Sequence, residues 1–262
     1  MESALAKRRG CCQRRRMADA LAPPPPSLLD GTALFLDFDG TLVELAESPG
    51  AIEVPGELHP LLERLAHRLD GRIAIISGRS IGDLERHLGL PGIALSGSHG
   101  LELLFPDGSR LPVAAPAGLA EARAAVADFA AGAEGLLVEE KPAGIALHFR
   151  LAPERESSVA AFLAGLAART GLVVQHGKMV AELRPAGRHK GDALRALMAE
   201  PPFAGARPVF VGDDLTDEDA FAAAAAMGGA GVLVGPPRAT AARWRLADVG
   251  AVAGWLQGAA DG

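Results

Sequence analysis

Beyond residue 27, short apolar runs alternate with segments whose apolar residues recur every three or four positions. The run Ala33-Leu34-Phe35-Leu36-Asp37-Phe38 is almost continuously apolar, the pattern of a strand buried on both faces of a parallel sheet. Leu58, Leu61, Leu62, Leu65 and Leu69 keep helical spacing. Arg72 to Ile76 predicts a second strand, and Gly92 to Ser96 a third. Between them, Ser80 and Asp83 have the spacing of a capping box that opens a short helix. After residue 188 the rhythm resumes with a helix over His189 to Ala199, a strand over Pro208 to Val211, a helix through an alanine run and a strand over Gly231 to Val234. This order predicts an α/β fold with a doubly wound, mostly parallel sheet.

The middle of the chain reads differently. Ala117 to Ala131 predicts a helix, Ile145 to Arg150 alternates like a half-exposed strand, and a second helix is expected over Val159 to Arg169. Leu172 to Gln175 and Met179 to Arg184 read as a hairpin joined by a His-Gly-Lys turn. Helices beside alternating strands predict a smaller α+β domain inserted into the larger one. The expected plan is a disordered basic and Pro-rich tail over 1–27, core over 28–112, an inserted cap over 113–185, and core again over 186–262. Pro112 to Gly118 and Arg184 to Arg188, both rich in Pro and Gly, are the expected crossings.

Composition narrows the chemistry. Of 262 residues, two are Cys and none is Tyr. Cys11 and Cys12 are adjacent within an arginine-rich stretch, so neither a disulfide framework nor a structural zinc site is expected. Cys and Tyr chemistry is thereby removed from the body of the chain, and a reducing, cytoplasmic setting is expected. No apolar run approaches the roughly 20 residues of a membrane helix. The formal charge of −6 averages two unlike parts. Residues 1–16 carry six basic side chains and one acid, which leaves −11 on the rest. An acidic body argues against a nucleic-acid partner, and neither a membrane nor a partner chain is expected; the chain reads as a monomer.

Four segments carry candidate chemistry, each after a predicted strand or opening a predicted helix. Asp37 and Asp39 in Leu36-Asp37-Phe38-Asp39-Gly40-Thr41-Leu42 sit where open α/β sheets place their sites, and two such charges repel unless a cation or proton lies between them. Gly40 and Thr41 permit a sharp turn whose amides are expected to face a phosphate. Ser77-Gly78-Arg79 ends the second strand with groups suited to phosphate oxygens. Lys190 stands in a first helical turn, against the helix dipole, as an ammonium serving a bound phosphate would. In Gly212-Asp213-Asp214-Leu215-Thr216-Asp217-Glu218-Asp219, Thr216 with Asp219 fits a helix N-terminus, while Asp213 and Asp214 are not needed for it. Oxygen-only ligands suit Mg²⁺.

In this order the four motifs resemble the haloacid dehalogenase-like phosphohydrolases. The resemblance implies Mg²⁺ and an aspartyl-phosphate mechanism. Asp37 is then the nucleophile and Asp39 the general acid and base. The ion is held by Asp37, the Asp39 main-chain carbonyl and Asp213, with Asp214 nearby, and Ser77, Gly78, Arg79 and Lys190 bind phosphate. Glu139-Glu140-Lys141-Pro142, Gly177-Lys178-Met179-Val180-Ala181-Glu182-Leu183-Arg184-Pro185 and Gly97-Ser98-His99-Gly100 look like trehalose-6-phosphate phosphatases. That resemblance puts Glu139, Lys141 and Glu182 on the hydroxyls of a phosphosugar. On residue chemistry alone, Glu139, Glu140 and Lys141 read equally as a solvated cluster, and Glu182 with Arg184 as a surface ion pair. His99 reads as a substrate contact or a core histidine. Sucrose-phosphate and mannosyl-3-phosphoglycerate phosphatases are the alternatives with the same chemistry. A non-catalytic sugar-phosphate sensor has no use for both Asp37 and Asp39.

Overall fold

The computed structural model describes residues 16–17, 21–46, 51–111 and 115–261. In chain order the elements are β1 (Arg16–Met17), β2 (Thr32–Leu36), α1 (Leu58–Arg68), β3 (Ile73–Ile76), α2 (Ile81–Leu88), β4 (Ala94–Gly97), β5 (Glu102–Leu104) and β6 (Arg110–Leu111). Next come α3 (Leu119–Ala131), β7 (Leu137–Lys141), β8 (Gly144–His148), α4 (Glu156–Thr170), β9 (Val173–Gly177) and β10 (Val180–Arg184). The chain closes with α5 (Lys190–Met198), β11 (Arg207–Gly212), α6 (Glu218–Ala226), β12 (Ala230–Val234), β13 (Ala239–Thr240), β14 (Trp244–Leu246) and α7 (Val249–Asp261).

The large sheet has the order β14-β12-β11-β2-β3-β4-β5-β6. It is parallel from β14 to β4, and β5 and β6 extend one edge antiparallel. Strand alternation divides its core in two. Leu34, Leu36, Ile73, Ile75, Val209 and Val211 pack with α1, α2 and α7 on one face. Ala33, Phe35, Ala74, Ile76 and Phe210 pack with α5 and α6 on the other. From β2 the chain runs outward to β3 and β4, then returns to build β11, β12 and β14 on the opposite side. The carboxyl end of β2 is therefore a topological switch point, where such sheets open a crevice.

The second sheet, β7-β8-β10-β9, is antiparallel. Ile145, Leu147, Ala181 and Leu183 pack on one face against Ala122, Val126, Val159, Leu163 and Leu166 of α3 and α4. By the period-two rule, Glu139, Lys141, His148, Gln175, Glu182 and Arg184 share the opposite face. No helix among the described residues is long and apolar enough to cross a membrane.

Three expectations change. The expected tail over 1–27 falls largely outside the described residues, but its last part is ordered against the core. Leu21 packs on the α5–α6 face, Pro26–Leu29 forms a 3₁₀ turn, and Trp255 Nε1 and Arg245 N donate to Pro25 O and Ala22 O. Pro25 O also accepts from Leu28 N at 3.0 Å, so this one carbonyl ties the 3₁₀ turn to α7. The cap hairpin turns at Lys178-Met179, with Gly177 paired to Val180 inside the ladder. Met179 takes the left-handed conformation (φ 60°) that the expected turn would have assigned to glycine. Finally, β5, β6, β7, β14 and α7 had no signal in the pattern. The crossing over Pro112 to Gly118 lies partly outside the described residues.

Candidate active site

Three neighbouring strands deliver the core of the site from their carboxyl ends. Asp37 follows β2, Ser77 follows β3 and Asp213 follows β11. Asp37 is anchored by its own amide, which donates to Val211 O at 2.9 Å. Lys190 Nζ, buried at the start of α5, donates to Asp37 Oδ1 at 2.7 Å and Asp217 Oδ1 at 2.6 Å. Burial depresses the Lys190 ammonium, but Asp217 and Asp37 outweigh it and hold its pKa above the ordinary value. Burial pushes Asp37 well up; Lys190 opposes this, and Asp217 and Asp213 add to it.

Carboxylate oxygens of Asp37, Asp213 and Asp217 all lie within 4.8 Å of one another. Asp217 was not among the expected ligands. Its oxygens are taken by Lys190 and by the amide of Asp214, which donates to Asp217 Oδ2 at 2.8 Å. Asp214, expected near a metal, lines the cavity beside Asp213 and also caps the turn before α6: its Oδ1 accepts from Leu215 N at 2.5 Å. The helix opening expected from Thr216 and Asp219 is thus built by Asp214 and Asp217. Two glycines make room for the cluster. A Cβ on Gly40 would stand 2.3 Å from Asp213 Oδ2, and one on Gly212 2.4 Å from the Asp217 carboxyl carbon.

The turn after β2 is closed on itself. Gly40 N donates to Val43 O and Thr41 N to Phe38 O, so these two amides hold the sharp turn itself. Arg79 differs from expectation. Its Nε and Nη2 donate to Asp39 Oδ2 and Oδ1 at 2.7 and 2.8 Å, and Nη1 is bonded to Asp83. The guanidinium expected to bind phosphate grips the second aspartate. Ser77 is buried, and its Oγ accepts from Arg79 N at 3.1 Å. Gly78 is fitted to His99, whose ring would stand 2.7 Å from a Cβ there. Burial, then the Lys141 charge, hold His99 well below its ordinary pKa.

The cap faces this floor. Lys141 Nζ donates to Glu182 Oε2 at 2.5 Å and across to Gly78 O at 2.8 Å. Glu182 pairs with Lys141 and not with Arg184; Lys141 on β7 stands opposite Gly144 of β8, which has no side chain to block the way, and a Cβ there would lie 3.0 Å from Glu182 Oε1. His99 Nε2 stands 3.9 Å from Glu182 Oε2. Glu139 Oε2 is 2.8 Å from His148 Nε2. Burial raises the Glu139 carboxyl, but His148 and Lys141 outweigh it and hold the pKa below its ordinary value. Glu140 turns outward to Arg123, so the cluster Glu139-Glu140-Lys141 is divided by strand alternation between cavity and solvent. At the hairpin tip, Lys178 reaches from the cap to Asp213.

One cavity of about 170 Å³ is lined by Asp37, Asp39, Ser77, Gly78, Arg79, His99, Glu139, Lys141, Glu182, Lys190, Asp213 and Asp214 together. His148, Gln175 and Lys178 line it without having been expected there. Strand register alone puts His148 and Gln175 on the Glu182 face of the cap sheet.

A buried carboxylate floor at a switch point lies under an inserted antiparallel cap, a fold shared with a phosphatase of the haloalkanoate dehalogenase superfamily from Bacteroides thetaiotaomicron, with a TM-score of 0.58 and 18% identity over 86% of this chain and 92% of that one. A family model described as trehalose-phosphatase matches residues 35–249. A probable trehalose-phosphate phosphatase of Sinorhizobium fredii is 40% identical over 80% of this chain and 80% of its own. Trehalose-6-phosphate phosphatase of Escherichia coli is 39% identical over 88% of each chain. The solved C-terminal domain of Candida albicans trehalose-6-phosphate phosphatase shares the fold, with a TM-score of 0.79 and 24% identity over 92% of this chain and 99% of that one. The chain belongs to the trehalose-phosphatase family, and it is a phosphatase.

Proposed function

We propose that the protein hydrolyses trehalose 6-phosphate to trehalose and phosphate, with Mg²⁺ as cofactor and Asp37 as nucleophile. The observation that carries this reading is the single cavity with two unlike walls. One wall is Asp37, Ser77 and Asp213 at the switch point; the other is Glu139, Lys141 and Glu182 of the cap. The names of the curated relatives support the choice of sugar.

The residues fit a magnesium ion. The donor set is entirely carboxylate oxygen, gathered within 4.8 Å, and the burial that raises Asp37 is relieved by a further cation. Asp37 and Asp213 would hold it, with Asp217 behind them already committed to Lys190 and Asp214. When bound, it neutralises charge on the phosphoryl oxygens and aligns them for in-line attack.

The chain's own residues do the rest. A carboxylate oxygen of Asp37 attacks phosphorus, and the bond from phosphorus to the sugar oxygen breaks. Asp39 gives its proton to that oxygen, and trehalose leaves. Asp39 then takes a proton from water as the water oxygen attacks the aspartyl phosphate, and the bond to Asp37 breaks. Lys190 stabilises the Asp37 side of this exchange, and Ser77 faces the phosphoryl group from the neighbouring strand. Glu139, Lys141 and Glu182 bind sugar hydroxyls by charge-assisted hydrogen bonds and shut the cavity to water.

The test is phosphate release from a panel containing trehalose 6-phosphate, sucrose 6-phosphate, mannosyl-3-phosphoglycerate and glucose 6-phosphate, with magnesium and with chelator. Preference for trehalose 6-phosphate, lost with chelator, is expected. Preference for another member overturns the sugar assignment, and full activity in chelator overturns the metal.

A further inference from the structure

At the point where the cap sheet hands the chain back to the core, one buried charge has no counterion. Arg184, the last residue of β10, is only 3% exposed. Its Nη1 donates to Gln175 Oε1 at 2.5 Å and its Nη2 to Arg188 O, both neutral acceptors, and Nε has no partner. Among the described residues no carboxylate lies within 4.0 Å of it, since Glu182, two residues earlier on the same face, is bound to Lys141. Burial lowers the guanidinium pKa, and Glu182 offsets this only in part. A charge taken out of water without an opposite partner is costly, and an anion is what removes that cost.

Space for one is adjacent. Arg184 lines a cavity of about 140 Å³ together with Gln175, Arg188, His189 and Lys190. Its wall holds a single carboxylate, that of Asp219, which lies at the exposed start of α6. The adjoining catalytic cavity, which shares His99, Gln175, Lys190 and Thr216 with it, sets six carboxylates against five Lys and Arg side chains, whereas this space sets one carboxylate against Arg184, Arg188 and Lys190. His189 and Lys190 also open α5, whose first turn is already closed by a capping box between His189 and Asp192, so the charge offered to the space is that of the side chains.

We propose that this cavity is a second anion site, adjoining the catalytic one but centred on Arg184, which the catalytic cavity does not include, and that it takes a small tetrahedral oxyanion, inorganic phosphate. Both the guanidinium and the Arg188 carbonyl it binds belong to the crossing between cap and core. An anion there fastens the crossing, and because phosphate is released by the phosphatase reaction, the site links product level to cap closure. The inference stands on the charge and the cavity and does not require the trehalose assignment.

Calorimetric titration of the full chain with inorganic phosphate tests it. In chelator, one phosphate is expected per chain; with magnesium, a second is expected in the catalytic cavity. Arg184→Gln should lose the metal-independent phosphate and keep the metal-dependent one. Gln175→Glu guards against misfolding of that variant. It supplies the missing carboxylate beside Arg184, so it should raise the unfolding temperature while also abolishing metal-independent binding. Absence of that binding in the unaltered protein, or its survival in either variant, overturns the proposal.

Discussion

Arg79 grips Asp39 through two parallel hydrogen bonds, Nε to Oδ2 at 2.7 Å and Nη2 to Oδ1 at 2.8 Å. Asp83, one helical turn further along, holds the same guanidinium from the other side. A bidentate pair of this kind fixes the plane and position of the carboxylate. In the proposed reaction Arg79 is therefore a positioning residue for the group that moves the proton. Arg79→Met should lower kcat by about 10²-fold, the cost of a misplacement near 1 Å, with KM little changed. Asp83→Ala should lower kcat less, because Asp39 keeps both of its bonds. Steady-state kinetics of the two variants checks the order.

Lys190 stands between Asp37 and Asp217 with almost no access to water. Removing it leaves two buried carboxylates without their cation. Lys190→Met should destabilise the metal-free protein by about 3–5 kcal/mol in urea unfolding, and activity should disappear. Lys190→Arg should not rescue, because a planar fork does not replace a compact charge between two oxygens less than 3 Å away. Recovery of stability in the arginine variant would contradict this geometry.

On the cap, alternation separates neighbours of equal charge. Glu182→Gln weakens a hydrogen bond to a charged group, and kcat/KM should fall by about 10- to 100-fold, mostly through KM. Glu140→Gln changes a side chain that pairs with Arg123 outside the cavity, so its kinetics should match the unaltered protein. Equal losses in both variants would show that the cap sheet does not face the substrate as described.

His99 gives a pH dependence with a definite sign. Its pKa in the folded protein lies well below 6.5, because burial and the charges of Lys141, Lys190 and Arg184 oppose the imidazolium. Below pH 6.5 the unfolded chain takes up a proton that the folded chain refuses. His99 thus favours folding fully above that pH, and stability declines as pH falls beneath it, by at most about 1.4 kcal/mol per unit. The loss ends at the lower folded pKa. His99→Asn tolerates the left-handed backbone (φ 55°) and should flatten this part of the profile between pH 7 and 5. Parallel stability profiles for the two proteins would refute the assignment.

The strand ends that carry Asp37, Ser77 and Asp213 were legible because β2, β3 and β11 are buried on both faces and read as unbroken apolar runs. Ser80 and Asp83 marked α2 correctly, the Ser80 side chain accepting from Asp83 N. Asp217 was hidden, since its place in the cluster depends on a 3₁₀ turn folding it beneath Gly212, which a helix-capping pattern does not encode. The bond from Arg79 to Asp39 joins residues forty apart in the loops after two different strands, and nothing local records it. Of the cap strands, β7 was missed because Leu137 and Val138 are exposed and Glu139-Glu140 breaks the apolar pattern. Yet that same strand presents Glu139 and Lys141 to the cavity.

The central claim is that phosphate passes through Asp37. Rapid acid quench of the protein mixed with trehalose 6-phosphate and magnesium, followed by peptide mass mapping, tests it directly. A phosphoryl group on Asp37 that forms and decays at the rate of turnover is the predicted result, absent in Asp37→Asn. Phosphate release without any such species, together with substantial turnover by Asp37→Asn, would contradict the account.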